Sequence, residues 1–298
     1  MSASPPHDRQ KLWLAALKPP MYSVAVMPII VGSAIAYSQL NTLDVPVLIA
    51  FAVGAVLILV WENLCNDVFD AETGIDKHKY HSIVNLTGKQ HLILVIANVF
   101  LLLGLALIGW ICWQQRDLVI GVIVLICCVL GYIYQAPPLR LGYQGWGELL
   151  CFISFGPLAV SASYYSQTHS VSASAFLASL AVGLVISLVL FCSHFHQVAD
   201  DLGAGKYSPV VRLGTGRSAA LLPFICVSVY GILLFGIGIE VFPPATALAL
   251  VGLPSAIYLC QTIAAYHSIP ERVSNSKFIA LGFQFWFCLG LALGFYLS

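Results

Sequence analysis

Two short stretches hold most of the carboxylates of this 298-residue chain. The first runs Asn63, Asn66, Asp67, Asp70, Glu72, Gly74 and Asp76; the second runs His196, Gln197, Asp200, Asp201, Gly205 and Lys206. With Glu62, they account for seven of the thirteen Asp and Glu residues, and each stretch closes an apolar run of helical length. A carboxylate beside hydrocarbon is costly and tends to mark function. At the C-terminal end of a helix it also meets the negative end of the helix dipole. Such a cluster asks for a cation. Carboxylate and amide oxygens suit Mg²⁺, which is usually held by one or two carboxylates together with substrate phosphates. Lys206, Arg212 and Arg217 follow the second acidic pair. Acids that hold a metal beside bases that hold an anion point to a metal diphosphate.

The elements that must position these groups are membrane helices. Only 9% of residues are charged and 59% are hydrophobic, with a mean hydropathy of +0.90; a soluble domain carries roughly 25% charged residues. Zero net charge gives no sign of nucleic-acid binding, and the nine cysteines lie in apolar runs without zinc-type spacing. They read as small buried hydrophobes. No cleavable signal peptide is expected: residues 1–12 are a polar, Pro-rich segment leading into the first apolar run, and residues 1–298 read as a single domain. Runs of about 20 apolar residues, the length that crosses a bilayer, occur near 22–40, 46–66, 91–113, 117–135, 145–166, 173–199, 218–240, 245–267 and 275–297. The fold expected is an all-α membrane protein of nine transmembrane helices. With a cytoplasmic N-terminus, every basic residue except Arg116 falls on the inner side, as the positive-inside rule requires. Both acidic stretches then share the cytoplasmic face.

Within the first stretch, Asn63, Asn66, Asp67 and Asp70 are three or four apart and form one polar stripe on a helix, which Gly74 ends. In the second, His196 and Asp200 are four apart, as are Gln197 and Asp201, and a continuing helix pairs them. His194, two residues from His196, then points elsewhere.

The Asn-Asp-x-x-Asp segment at Asn66–Asp70, with a second Asp-rich segment ending the sixth run, resembles the membrane-embedded aromatic prenyltransferases of the UbiA superfamily. Tyr134-Gln-Ala-Pro-Pro-Leu-Arg140 is similar to that family's segment after the fourth helix, and the resemblance covers essentially the whole chain. The superfamily's usual third acid falls here on Gly74, with Asp76 two residues further on. That departure, and Gly205-Lys206 leading to Val211-Arg212-Leu213-Gly214, resemble the naphthoate branch, in the form of oxygenic phototrophs that make phylloquinone.

What the resemblance implies is prenyl transfer. The cofactor is Mg²⁺, with Asp67, Asp70 and Asn66 at one ion and Asp200 and Asp201 at another. Lys77, Lys79, Arg140, Lys206 and Arg212 are the expected diphosphate contacts. Asn63 orients the acceptor or a metal-bound water, and His196 and Tyr134 touch the acceptor or the allylic cation. The partners are phytyl diphosphate, a carboxylated naphthoquinone or naphthoate, and membrane lipid, in a plasma or thylakoid membrane with the site on the cytoplasmic face. The same chemistry on homogentisate or chlorophyllide is an alternative. A cation-coupled transporter is disfavoured, because the acids lie at helix ends rather than near the midplane.

Overall fold

A computed structural model describes residues 19–75 and 82–298 of the protein, and the elements among them are all helical. The long helices are α1 (Pro19–Leu40), α2 (Val45–Thr73), α4 (Gln90–Gln115), α6 (Gly147–Thr168), α7 (Ala173–His196), α10 (Thr215–Gly238), α11 (Pro244–Tyr266) and α12 (Pro270–Tyr296). These eight are long and apolar enough to cross a membrane. The shorter α5 (Val119–Gln135) is apolar but has 17 residues, about 25 Å of helix, less than the ~30 Å hydrocarbon core. Three short helices, α3 (Ile83–Thr87), α8 (Val198–Gly203) and α9 (Pro209–Leu213), all lie beside the acidic stretches. Asp76, Lys77 and Lys79 fall outside the described residues. Large side chains such as Leu102 and Phe224 face outward, 66% and 70% exposed. Water would penalise that display, whereas lipid accepts it. The protein is an integral membrane protein.

Local sequence explains the elements that carry the acids. The Asp44 side chain caps α2 by accepting from Val47 N–H at 3.1 Å, and Pro46 sits in the first turn, where its missing N–H costs nothing. Gly74 ends the helix in the left-handed conformation (φ 75°), its N–H bonded to Asp70 O at 3.1 Å. The helix therefore runs past the apolar stretch to Thr73, 29 residues in all, about 43 Å. That length carries the Asn63–Asp70 stripe on regular helix toward the membrane edge. The continuation expected through residue 199 does not form. α7 closes with a 3₁₀ turn at His194–His196, Gln197 leaves helical geometry (φ −111°), and α8 starts afresh at Val198. In α6, a widened π turn at Ser154–Leu158 accommodates Pro157, which has no N–H to give to the helix.

Buried side chains form two separate apolar cores. One gathers α7, α10, α11 and α12; the other gathers α2, α4 and α5. Among the described residues, only α1 and α6 place buried side chains in both: Val31 and Val160 in the first, Ile29 and Ala162 in the second. These two helices meet along a seam of small residues. The Ser33 and Ser163 hydroxyls are 3.1 Å apart and Ser163 Oγ donates to Ile29 O at 2.6 Å. A Cβ on Gly32 would stand 2.5 Å from Val160 O and 2.7 Å from Ser163 Cβ. Gly32→Ala must therefore push α1 from α6, with an expected cost of about 1–3 kcal/mol for overpacking a tight contact. Thermal unfolding in detergent checks it: the variant melts several degrees below the parent, and an unchanged Tm would mean that the seam opens freely.

Candidate active site

Between the two cores lies a cavity of about 480 Å³. Asn63, Asn66 and Asp70 line one wall from α2, one helical face at spacings of three and four. Asp200, Asp201 and Lys206 line the facing wall, from α8 and the turn after it. The two stretches, separated by some 130 residues of chain, thus look at each other across one space. Deeper walls are apolar, from Leu59, Leu130, Phe155 and Ile186 among others. A second chamber of about 70 Å³ shares Leu59, Glu62, Ser154 and Phe155 with the first, at the widened turn of α6.

A hydrogen-bonded frame holds the polar end. Asp201 is fully buried; its Oδ2 accepts from His194 Nδ1 at 2.9 Å, and its Oδ1 stands 3.8 Å from Lys206 Nζ. Burial acts to raise the Asp201 pKa, but the His194 hydrogen bond and the Lys206 charge outweigh it and hold the carboxyl below its ordinary value. His194 Nε2 is also 3.6 Å from Glu148 Oε1. Tyr143, in the loop between α5 and α6, donates its hydroxyl to Asp70 Oδ1 at 2.7 Å, with Thr73 Oγ1 at 2.7 Å. Burial and then the Asp70 charge push the phenol pKa up, so it stays protonated and able to donate. Asp67 also makes a backbone contact. It is 1% exposed, and its Oδ2 accepts from Ile83 N–H at 3.0 Å, anchoring the start of α3. At the opposite end of the bundle, Asp117 accepts from Val119 N–H at 2.9 Å and from Tyr165 Oη at 2.7 Å.

Residues 25–294 match the model of the UbiA prenyltransferase family. The chain belongs to that family. It is 48% identical over 286 residues to the 2-carboxy-1,4-naphthoquinone phytyltransferase of Synechocystis sp., covering 96% of this chain and 93% of that one. It is 36% identical over 294 residues to the chloroplastic 2-carboxy-1,4-naphthoquinone phytyltransferase of Arabidopsis thaliana, covering 96% and 77%. Among solved structures, a UbiA homolog from Archaeoglobus fulgidus bound to DMAPP and Mg²⁺ superposes with a TM-score of 0.58 at 15% identity, covering 94% of this chain and 99% of that chain. A digeranylgeranylglyceryl phosphate synthase superposes at 0.67 and 17% identity, covering 98% and 100%. The fold is that of the UbiA prenyltransferases.

The donor set of this UbiA site fits a hard divalent cation. Asn66, Asp70, Asp200 and Asp201 present oxygens only, which suits Mg²⁺. Asp201 Oδ1 is buried and makes no hydrogen bond. Among the described residues, no cluster of three or more His, Cys, Asp and Glu could by itself hold a metal ion.

Of the residues expected from sequence, Asn63, Asn66, Asp70, Tyr134, His196, Asp200, Asp201 and Lys206 all line the cavity. Asp67, Arg140 and Arg212 are not on its wall. Arg140 pairs with Glu72 at 3.0 Å, and Arg212 donates to Gln144 O at 2.7 Å and Tyr207 O at 3.0 Å, clamping two loops together. Lys277, on α12, lines the cavity and was not expected there; no motif around it in the sequence marks a site. His194 also lines it, because the 3₁₀ turn redirects a side chain that a continuous α-helix would have aimed elsewhere. Tyr134 is seated by close glycines: a Cβ on Gly142 or Gly147 would come within 2.6 or 2.8 Å of its ring.

A carboxyl whose native pKa is depressed adds stability above its unfolded pKa, near 3.9, and that contribution fades as pH falls through the lower native value. Asp201→Asn, measured in EDTA, is therefore expected to melt below the parent at neutral pH by about 1–3 kcal/mol, the weight of buried hydrogen bonds to a charge. The gap should narrow as pH drops below about 4. A gap that stays constant with pH would show that folding does not lower this carboxyl's pKa.

Proposed function

We propose that the protein transfers a phytyl group from an allylic diphosphate to a carboxylated naphthoquinone or naphthoate, releasing diphosphate and CO₂, in phylloquinone or menaquinone formation. The observation that carries this reading is the meeting of two acidic walls across one cavity that is polar at one end and apolar beyond. The 48% identity to a 2-carboxy-1,4-naphthoquinone phytyltransferase over 96% of the chain supports the choice of acceptor and tail. We further propose nine membrane crossings with α5 among them, a cytoplasmic N-terminus, one domain over residues 1–298, and a cavity mouth on the cytoplasmic side. The membrane is the plasma or thylakoid membrane.

Asn66, Asp70, Asp200 and Asp201 would hold Mg²⁺ against the diphosphate. When bound, the metal supplies Lewis-acid neutralisation of the leaving group. Lys206 adds a cation that stabilises charge as it develops on the departing oxygen. The allylic C–O bond breaks and its electron pair leaves with the diphosphate. The apolar walls keep water from the resulting allylic cation, and the Tyr134 ring offers it an aromatic face. The ring carbon bearing the carboxylate attacks, a C–C bond forms, and the carboxylate leaves as CO₂, returning its electron pair to the ring. Asn63 and His196 stand on the cavity wall where the acceptor would be oriented. Lys77 and Lys79 are proposed as further diphosphate contacts.

The test is product formation by purified protein from phytyl diphosphate and 1,4-dihydroxy-2-naphthoate, with Mg²⁺ or with EDTA. The expected result is a decarboxylated, phytylated naphthoquinol made only with Mg²⁺; prenylation of homogentisate or chlorophyllide instead would move the acceptor assignment. Asp70→Asn and Asp200→Asn should each lower turnover at least a hundredfold, about 3 kcal/mol of lost transition-state stabilisation. Normal turnover in either would remove the metal role. Lys206→Ala should raise the KM for the diphosphate about tenfold or more while leaving that of the acceptor near its original value.

A further inference from the structure

Tyr143 lies off the cavity wall yet touches both acidic stretches. Its hydroxyl donates to Asp70 Oδ1 at 2.7 Å. Its ring stands under the Lys206 ammonium, 5.6 Å from Nζ to the ring centre. Lys206 in turn faces Asp201, which is bonded to His194. One side chain therefore joins Asp70 on α2 to the Lys206–Asp201 pair on the facing wall.

The backbone beneath it is fixed. Tyr143 O accepts from Tyr207 N–H at 2.7 Å and Tyr143 N–H donates to Arg140 O at 2.9 Å. The Arg212 guanidinium clamps the next residue through Gln144 O, and Gly145 (φ 84°) allows the two loops to touch: a Cβ there would stand 2.6 Å from Tyr207 O. A phenol on so constrained a loop is a fixed reference for whatever it contacts.

We propose that Tyr143 is a positioning residue that sets the metal-binding geometry of both walls at once. The hydroxyl holds one oxygen of Asp70, a residue of the cavity wall. The ring holds the ammonium of Lys206 by a cation–π contact, 3.8 Å from Asp201 Oδ1. That distance exceeds a hydrogen bond. Without the ring, Lys206 closes onto Asp201, and the cation meant for the diphosphate neutralises the carboxylate meant for the metal. This inference rests on the metal-diphosphate reading above.

The experiment uses the full-length protein in detergent and records the rise in Tm on adding Mg²⁺ with phytyl diphosphate, no acceptor present, alongside turnover. For Tyr143→Phe, which keeps the ring, the Mg²⁺ concentration giving half the stabilisation should rise about tenfold, the weight of one hydrogen bond to a charged group. Turnover should return at saturating Mg²⁺. Tyr143→Leu, which removes the ring too, should in addition raise the phytyl diphosphate concentration needed, and excess Mg²⁺ should not restore that. A Tyr143→Phe protein with the parent's Mg²⁺ dependence, or with a deficit that Mg²⁺ does not relieve, overturns the positioning role and leaves the functional reading standing. A parent protein whose Tm ignores Mg²⁺ and phytyl diphosphate together overturns that reading and this proposal with it.

Discussion

Everything at the polar end of this bundle follows from the need to keep several carboxylates together in a poorly solvating place. Asp70, Asp200 and Asp201 line one cavity, with Glu148 close behind His194. Like charges about 4 Å apart repel by roughly 4 kcal/mol even at an effective dielectric of 20. The chain answers with fixed partners: His194 on one Asp201 oxygen, Lys206 near the other, and the Tyr143 phenol on Asp70. Each partner needs a rigid support of its own. The 3₁₀ turn at the end of α7, the Arg212 clamp and the glycine contacts around the loop before α6 supply those supports. Lys206 and Lys277 supply positive charge on the same cavity wall.

How legible this was in the sequence depends on how local each cause is. Asn63, Asn66 and Asp70 share a face because of helical spacing alone, and Gly74 ends α2 for a reason written in its own backbone; both could be read directly. Asp67 fits the same spacing, but it also accepts from Ile83 N–H on another element, and no pattern within α2 signals that bond. The break after α7 was hidden because His194-Phe-His-Gln197 contains neither proline nor glycine; tertiary contacts, including the His194–Asp201 bond, end the helix there. Arg140 and Arg212 read as phosphate contacts by charge and proximity to the motifs. In space they face Glu72 and carbonyl oxygens, contacts that charge alone does not signal. Lys277 shows the converse: nothing near it in sequence marks a site, and packing of α12 brings it to the cavity.

The two-core construction separates tasks that a single core would mix. The walls that carry oxygens belong to opposite bodies, one built on α2 and one continuing from α7, so neither body gathers the full set of like charges alone. Only their docking assembles the complete site. Each body has an apolar core of its own, which runs up to the acids at Val68 and Phe69 on one side and Phe195 on the other.

The seam where α1 crosses α6 sets the distance between those bodies. It is made of Gly32, Ser33 and Ser163, residues with almost no volume. A change of one or two methyl groups there acts like a shim between two plates: the oxygen-bearing walls keep their own internal geometry while the width of the apolar chamber changes. Calibre and the spacing of the two oxygen-bearing walls are thus set together by one contact. A lineage that refits this bundle to a thicker or thinner lipid chain at the seam must re-space the oxygens in the same step.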